Sequence, residues 1–235
     1  MGKTYDGVVA LADVSLHIPV GECLALVGES GSGKTTLLRL FNRMIEPDAG
    51  TVRVDGTDVS MADPVALRRR IGYVPQTGGL LPHWGVLRNV ALVPWLVGQP
   101  APASAARAAL ELVGLAPATY GDRRPAELSG GQRQRVAIAR ALAAQQHYLL
   151  LDEAFSALDA ITRAEVHDAF LQVRDRLHIT TLLVTHDLRE AVLLADRIAV
   201  LRRGQVEQVD TPRGVFAAPA TEYVAELVRK SGMGS

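Results

Sequence analysis

Residues 23–41 read CLALVGESGSGKTTLLRLF, and this stretch decides the fold. Cys23 to Val27 is a nearly continuous apolar run of strand length, as expected for a strand buried on both faces of a parallel sheet. Gly28 to Thr35 then fits G-x-x-x-x-G-K-[ST], and Leu37, Leu38, Leu40 and Phe41 recur behind it at helical spacing. Strand, glycine loop and helix in that order make a phosphate cradle. Glycines let the backbone curl so that successive N–H groups point at one anion, and the helix N-terminus adds its dipole. In this pattern Lys34 reaches the β- and γ-phosphates, the Thr35 hydroxyl ligates Mg²⁺, and Thr36 contacts the α-phosphate. Ser30, Gly31, Ser32 and Gly33 complete the cradle.

On either side the chain alternates strand and helix signals. Val14, Leu16 and Ile18 alternate with polar neighbours and predict a strand, closed by a turn over Pro19 to Glu22. Pro47 to Gly50 and Asp55-Gly56 are turns flanking a short strand, Thr51 to Val54. From about Leu87 to Leu142 the composition shifts to Ala, Leu and Arg at helical spacing, with breaks at Pro94, Gly98 to Pro102 and Gly121 to Pro125. This predicts a helical subdomain, residues 87–142, inserted into an α/β core formed by residues 1–86 and 143–230. Strand signals return at Tyr148 to Leu151, Thr180 to Val184 and Ile198 to Leu201, with a helix over Ala160 to Leu177. Such an order implies a mostly parallel, helix-covered sheet. Residues 231–235, with Lys230 before them, read as a disordered tail.

Tyr148 to Glu153 is an apolar strand that ends in two acids. At the C-terminal edge of a parallel sheet its carboxylates enter the ligand crevice. Asp152 suits a Mg²⁺ held through water, and Glu153 suits the polarising of an attacking water. Leu128-Ser129-Gly130-Gly131-Gln132 reads as an N-cap serine with glycines opening a helix, a second place where backbone N–H groups could meet an anion.

LSGGQ, together with Arg133-Gln134-Arg135 and Ala139-Arg140-Ala141-Leu142, resembles the signature of the ABC ATPase family. The resemblance runs from Tyr5 to about Arg229. It implies a P-loop NTPase (RecA-like) core with N-terminal antiparallel β elements and the inserted helical subdomain. It implies ATP and Mg²⁺ as cofactors, and a homodimer in which the P-loop of one copy and Ser129, Gly130, Gly131 and Gln132 of the other clamp one nucleotide. Gln76 resembles the glutamine that senses Mg²⁺ and the membrane partner. Asp159, in Ser156-Ala157-Leu158-Asp159, resembles the residue that communicates across the dimer, with a helix N-cap as its competing role. His186 resembles the histidine that bonds the γ-phosphate. Tyr5 lies where the family stacks an aromatic on adenine, with local packing as the alternative.

Finer likenesses in Phe41 to Pro47, Leu67 to Tyr73, Leu81 to His83 and Ser156 to Arg163 are to ATPases of glycine betaine and related osmoprotectant importers. That implies membrane permease subunits, an extracytoplasmic solute-binding protein and a cytoplasmic place on the inner face of the membrane. Ala154 departs from the proline usual in that group, and the regulatory CBS domains many members carry are not in the sequence. His83 and Trp84 fall where family members meet a membrane subunit, or else pack locally.

Bulk properties agree. The 235 residues carry 25 basic and 25 acidic side chains, a balance that argues against nucleic acid as the main partner. Met1 to Asp6 is polar and Val8 to Leu11 is too short for a signal-peptide core. No apolar run is long enough to span a bilayer. Cys23 alone cannot form an intrachain disulfide, and no Cys/His spacing suits zinc. Arg68-Arg69-Arg70 reads as a solvated helix face. A long coiled-coil insertion or a second cassette, typical of soluble family members that act on DNA or ribosomes, is not in the sequence, while an ATPase of another importer, or of an exporter or lipid-extraction system, stays open as the alternative.

Overall fold

The computed structural model describes residues 1–233. By its contacts the chain divides into two compact units: Met1–Arg68 with the chain from Thr180 onward, and Arg69–Ile179. Along the chain, the first unit opens with strands β1 (Lys3–Tyr5), β2 (Val8–Leu11) and β3 (Cys23–Val27), helix α1 (Lys34–Phe41), and strands β4 (Arg53–Val54) and β5 (Thr57–Asp58). Helix α2 (Pro64–Arg70) begins in this stretch, and its last two residues belong to the second unit. The second unit contains β6 (Ile71–Val74), α3 (Val86–Leu96), α4 (Pro102–Leu112), α5 (Pro117–Tyr120), α6 (Gly130–Leu142), β7 (Tyr148–Asp152) and α7 (Ala160–Leu177). The first unit resumes with β8 (Thr180–Thr185), α8 (Leu188–Leu194), β9 (Arg197–Arg202), β10 (Gln205–Asp210), α9 (Pro212–Ala217) and α10 (Glu222–Ser231).

In the first unit the strands lie side by side in the order β10-β9-β3-β8. β3 runs parallel to both neighbours, with Leu26 opposite Val184 on one side and Ala199 on the other. All five β3 side chains are fully buried, as the apolar run demands. Helix α1 buries Leu37, Leu38 and Leu40, three positions spaced for one helix face. The β1–β2 hairpin packs through β2 onto α1.

In the second unit β6 and β7 pair in parallel, with Ile71 opposite Tyr148 and Val74 opposite Leu151. Helix α6 lies directly on β6: a Cβ on Gly72 would stand 2.5 Å from the Ala141 carbonyl oxygen. Helices α3, α4 and α7 surround α6 and bury Val90, Leu110, Val136, Ile138 and Phe170. The compact unit is therefore wider than the expected insertion, since it takes in β6, β7 and α7.

Four expectations need correction. Val14 to Ile18 forms no strand: the burial alternates as read, but the segment's only backbone pairing is between Val14 and Met1. The strand placed over Thr51 to Val54 shrinks to Arg53–Val54. Helix α3 continues through Pro94, which sits in its last turn where only one internal hydrogen bond is lost. Lys230 and Ser231 end α10, capped by Gly232 in the left-handed conformation, while Gly234 and Ser235 lie outside the described residues.

Candidate functional site

In the first unit β3 ends at Val27, which pairs with Thr185 of β8. The glycine loop and His186 therefore leave the same edge of adjacent strands. Gly33 caps α1 at φ 102°, and a Cβ there would stand 2.6 Å from the Ala10 carbonyl oxygen, so only glycine fits. The Lys34 ammonium is buried within the loop and donates to the carbonyls of Gly28 (2.7 Å) and Glu29 (2.8 Å). Ser32 is buried, Ser30 and Gly31 are exposed, and Thr35 and Thr36 are half-buried at the start of α1.

The loop is held from behind by residues that sequence reasoning missed. In the β9–β10 turn the Gly204 N–H donates to the Ser32 carbonyl (3.0 Å) and the Gly204 carbonyl accepts from Ala12 N–H (2.8 Å). A Cβ on Gly28 would overlap the Leu201 carbonyl oxygen. From α10, the Tyr223 hydroxyl accepts from Glu29 N–H at 3.2 Å, and the Arg202 guanidinium lies 4.6 Å from the Tyr223 ring centre. Burial pushes the Tyr223 phenol above its ordinary pKa. These groups enclose a hollow of about 110 Å³ lined by Glu29, Ser30, Gly31, Ser32, Arg202, Arg203 and Tyr223. Of the bracing groups outside the glycine loop, only the Arg203-Gly204 turn had a local sequence signal.

His186 is exposed one residue beyond β8; the next residue, Asp187, caps α8 by accepting from Arg189 N–H (2.8 Å). Tyr5 is 43% exposed at the end of β1, with the Lys3 ammonium 5.4 Å from its ring centre.

In the second unit, register does the positioning. Gln76 and Glu153 each lie two residues past a paired position, Val74 opposite Leu151, so they emerge together. The Gln76 amide donates to Glu153 Oε2 at 3.4 Å. Asp152 is buried at the end of β7 and accepts from the Tyr73 hydroxyl (3.2 Å). Glu153 turns the chain at φ 49°, and Ser156 closes that turn with its N–H (3.2 Å) and hydroxyl (2.9 Å) on the Glu153 carbonyl. Phe155 anchors the turn in the core, edge-on to His167 at 4.8 Å.

Ser129 caps α6 as expected. Its hydroxyl accepts from Gln132 N–H (3.2 Å), and Gln132 Oε1 accepts from Ser129 N–H (3.0 Å), a reciprocal capping box. Gly130 is half-exposed, whereas Gly131 is buried where a Cβ would overlap Thr162 Cγ2 of α7. Asp159 caps α7 through Thr162 N–H (3.0 Å). Hydrogen bonds from the Thr162 side chain and backbone hold its carboxyl below the usual range. The signature segment and the Asp159 cap are thus neighbours, joined through Thr162. Among the described residues no helix is long and apolar enough to cross a membrane.

A phosphate-loop unit of parallel strands, and a second unit whose strand ends pair Gln76 with Glu153 beside a capped SGGQ helix, define a nucleotide-binding cassette. The family model described as ABC transporter matches residues 11–156, and the chain belongs to that family. It is similar to the choline transport ATP-binding protein OpuBA of Bacillus subtilis, with 46% identity covering 98% of this chain and 61% of that protein. Similarity also extends to the trimethylamine N-oxide transport ATP-binding protein TmoW of Ruegeria pomeroyi, at 47% identity covering 96% of this chain and 68% of that protein. The chain spans about three fifths of the first of these relatives. Among solved structures it is similar to the dimeric ATP-binding cassette MJ0796 bound to ADP and Pi, with 32% identity and a TM-score of 0.79 over 91% of this chain and 96% of that one. The fold is accordingly that of a P-loop ATP-binding cassette.

Proposed function

We propose that this chain is the ATP-binding and hydrolysing subunit of an ABC transporter that energises uptake of a quaternary-amine osmoprotectant such as glycine betaine. The observation that carries this reading is the Gln76 amide against the Glu153 carboxylate, in a chain that also holds a phosphate loop and a capped SGGQ helix. Lys34 leaves its carbonyl partners to offset phosphate charge, and the loop amides and the start of α1 bind the phosphates. Thr35, Asp152 and Gln76 offer hydroxyl, carboxylate and amide oxygens, a hard donor set that suits Mg²⁺ completed by phosphates and water. Held by these residues, Mg²⁺ would supply positive charge to offset charge developing on the phosphates. Glu153 polarises the attacking water, His186 bonds the γ-phosphate, and Tyr5 stacks on adenine. Ser129, Gly130, Gly131 and Gln132 serve the nucleotide of a second copy, and Asp159 lies at the same dimer face while capping α7.

The transport partners are membrane permease subunits and an extracytoplasmic solute-binding protein, which place this chain on the inner face of the membrane. The names of relatives support an amine substrate: choline, glycine betaine, carnitine and trimethylamine N-oxide. A second reading, the ATPase of another importer, is favoured by a sulfate/thiosulfate import relative from Caulobacter vibrioides at 46% identity. Glu153→Gln tests the common core of both. With Mg-ATP the variant should bind nucleotide, cease turnover and run as a dimer by light scattering, because the amide keeps shape but loses the base. Turnover at the wild-type rate would remove Glu153 from its role.

A further inference from the structure

Arg140 lies on α6 ten residues beyond Gly130, roughly 15 Å along the helix at 1.5 Å per residue. Its guanidinium donates to the carbonyls of Gly79 (2.6 Å) and Gly78 (3.0 Å). Gly78 and Gly79 both have positive φ (71° and 62°). Gly78 closes a turn back to Pro75, its N–H donating to the Pro75 carbonyl at 2.9 Å. Gln76 is the second residue of that turn. The fork of Arg140 thus grips the segment that presents Gln76 to Glu153. The grip is close, since a Cβ on Gly79 would stand 3.3 Å from Arg140 Nη2 and 3.0 Å from Pro75 Cγ. Gln134, six residues earlier on α6, also approaches the segment, its Oε1 3.6 Å from where a Gly78 Cβ would be. Burial depresses the pKa of Arg140, so its charge sits in poorly solvating surroundings and is met by carbonyl dipoles.

We infer that Arg140 is a positioning residue that fixes the Gln76 turn to the signature helix, so that a displacement of α6 at Ser129 reaches the Gln76–Glu153 pair. The inference rests on the proposed roles of Glu153 and the signature segment. On that reading α6 meets the partner copy's nucleotide at one end, while Arg140 holds the chain's own water-orienting pair in register. One rigid helix then couples the two nucleotides. Packing alone would be met by any long cation at position 140, whereas gripping two successive carbonyls needs a planar fork.

The discriminating variant is Arg140→Lys in the full chain. It keeps the charge and much of the stem packing but can hold one carbonyl at a time. Steady-state ATPase, calorimetric Mg-ATP affinity, thermal melting and hydrogen exchange over residues 75–81 are read together. The expected result is a kcat about ten- to a hundred-fold lower, the scale of a misplaced catalytic group. Affinity should stay within about two-fold. Exchange over 75–81 should quicken while the melt stays close to wild type. If Arg140 acts through Gln76, Arg140→Lys in a Gln76→Ala background should slow turnover no further. A wild-type kcat in Arg140→Lys overturns the inference, as does a loss shared equally by affinity, melting and exchange throughout α6. Glu153→Gln run in parallel separates the failures. If it hydrolyses normally, the catalytic reading falls; if it is inert while Arg140→Lys is normal, only the link falls.

Discussion

Gly131→Ala is a sharp test of why the signature segment needs its glycines. Position 131 lies in the first turn of α6, where alanine should gain something short of the full helix-interior advantage of about 1 kcal/mol. Against this, the new Cβ would overlap Thr162 Cγ2, a branched side chain on α7 with Val166 Cγ2 also only 3.4 Å away. Overpacking of this kind costs about 1–3 kcal/mol, so a net loss of about 1–2 kcal/mol should remain. For a chain of this size that lowers the melting temperature by about 2–8 °C. Thr162→Ser removes the obstructing methyl and keeps the hydroxyl. Alone it leaves a small void worth about 1 kcal/mol, but combined with Gly131→Ala the two changes should fill one another's space. The double variant should be more stable than either single one, a favourable coupling of about 1–3 kcal/mol in a double-mutant cycle read by denaturant unfolding. Gly130→Ala is the control, because its Cβ would meet only Leu158 Cδ2 at 3.4 Å and should leave stability unchanged or slightly raised. Gly131→Ala as stable as wild type, or no rescue by Thr162→Ser, would refute the steric reasoning. If the double variant recovers stability but not ATPase activity, Gly131 is needed for close approach to phosphate as well.

Two further predictions concern caps and braces. Asp159→Ala should lower the melting temperature at neutral pH by removing the α7 cap. The folded-state pKa of Asp159 is depressed, so the cap's contribution is full above the ordinary aspartate range and is lost as pH falls through the depressed value. The difference from wild type should therefore close in acid, which melting curves against pH will show. Tyr223→Phe removes one neutral hydrogen bond, worth about 0.5–1.5 kcal/mol, and should quicken amide exchange at Glu29 without disturbing β3; unchanged exchange there would mean the hydroxyl does not hold the loop.

What the sequence made legible was what depends on near neighbours. The CLALV run, the glycine loop and the helix behind it specify one another within residues 23–41, and the structure follows them closely. Ser129 and Gln132 lie one helical turn apart, so their capping box could be read directly. Val14 to Ile18 shows the limit, because alternation reveals a half-buried segment but not whether a ladder partner exists. β10 was missed because its residues, QVEQVD, are only half-buried along one edge of the sheet and carry two apolar side chains. Contacts between distant segments were out of reach in principle. Tyr223 meets Glu29 across 194 positions, and Arg140 meets Gly79 across 61. The Gln76–Glu153 pair became spatial only once β6 and β7 were in register.

The turn joining β9 to β10 has a consequence for anyone re-engineering this chain. Asp6-Gly7 and Arg203-Gly204 are both tight hairpin turns of nearly the same backbone shape, with φ 46° and 81° in the first and 47° and 78° in the second. Either would pass as a harmless place to splice in a tag, a fluorescent domain or new chain ends. At Gly7 an added Cβ would meet nothing within 4 Å, so the first turn can open outward without disturbing its surroundings. At Gly204 it would stand 2.7 Å from the Ala10 carbonyl oxygen, and the residue's own N–H is already spoken for by Ser32. The second turn is a wedge between the first hairpin and the glycine loop, and cargo spliced there would press on both.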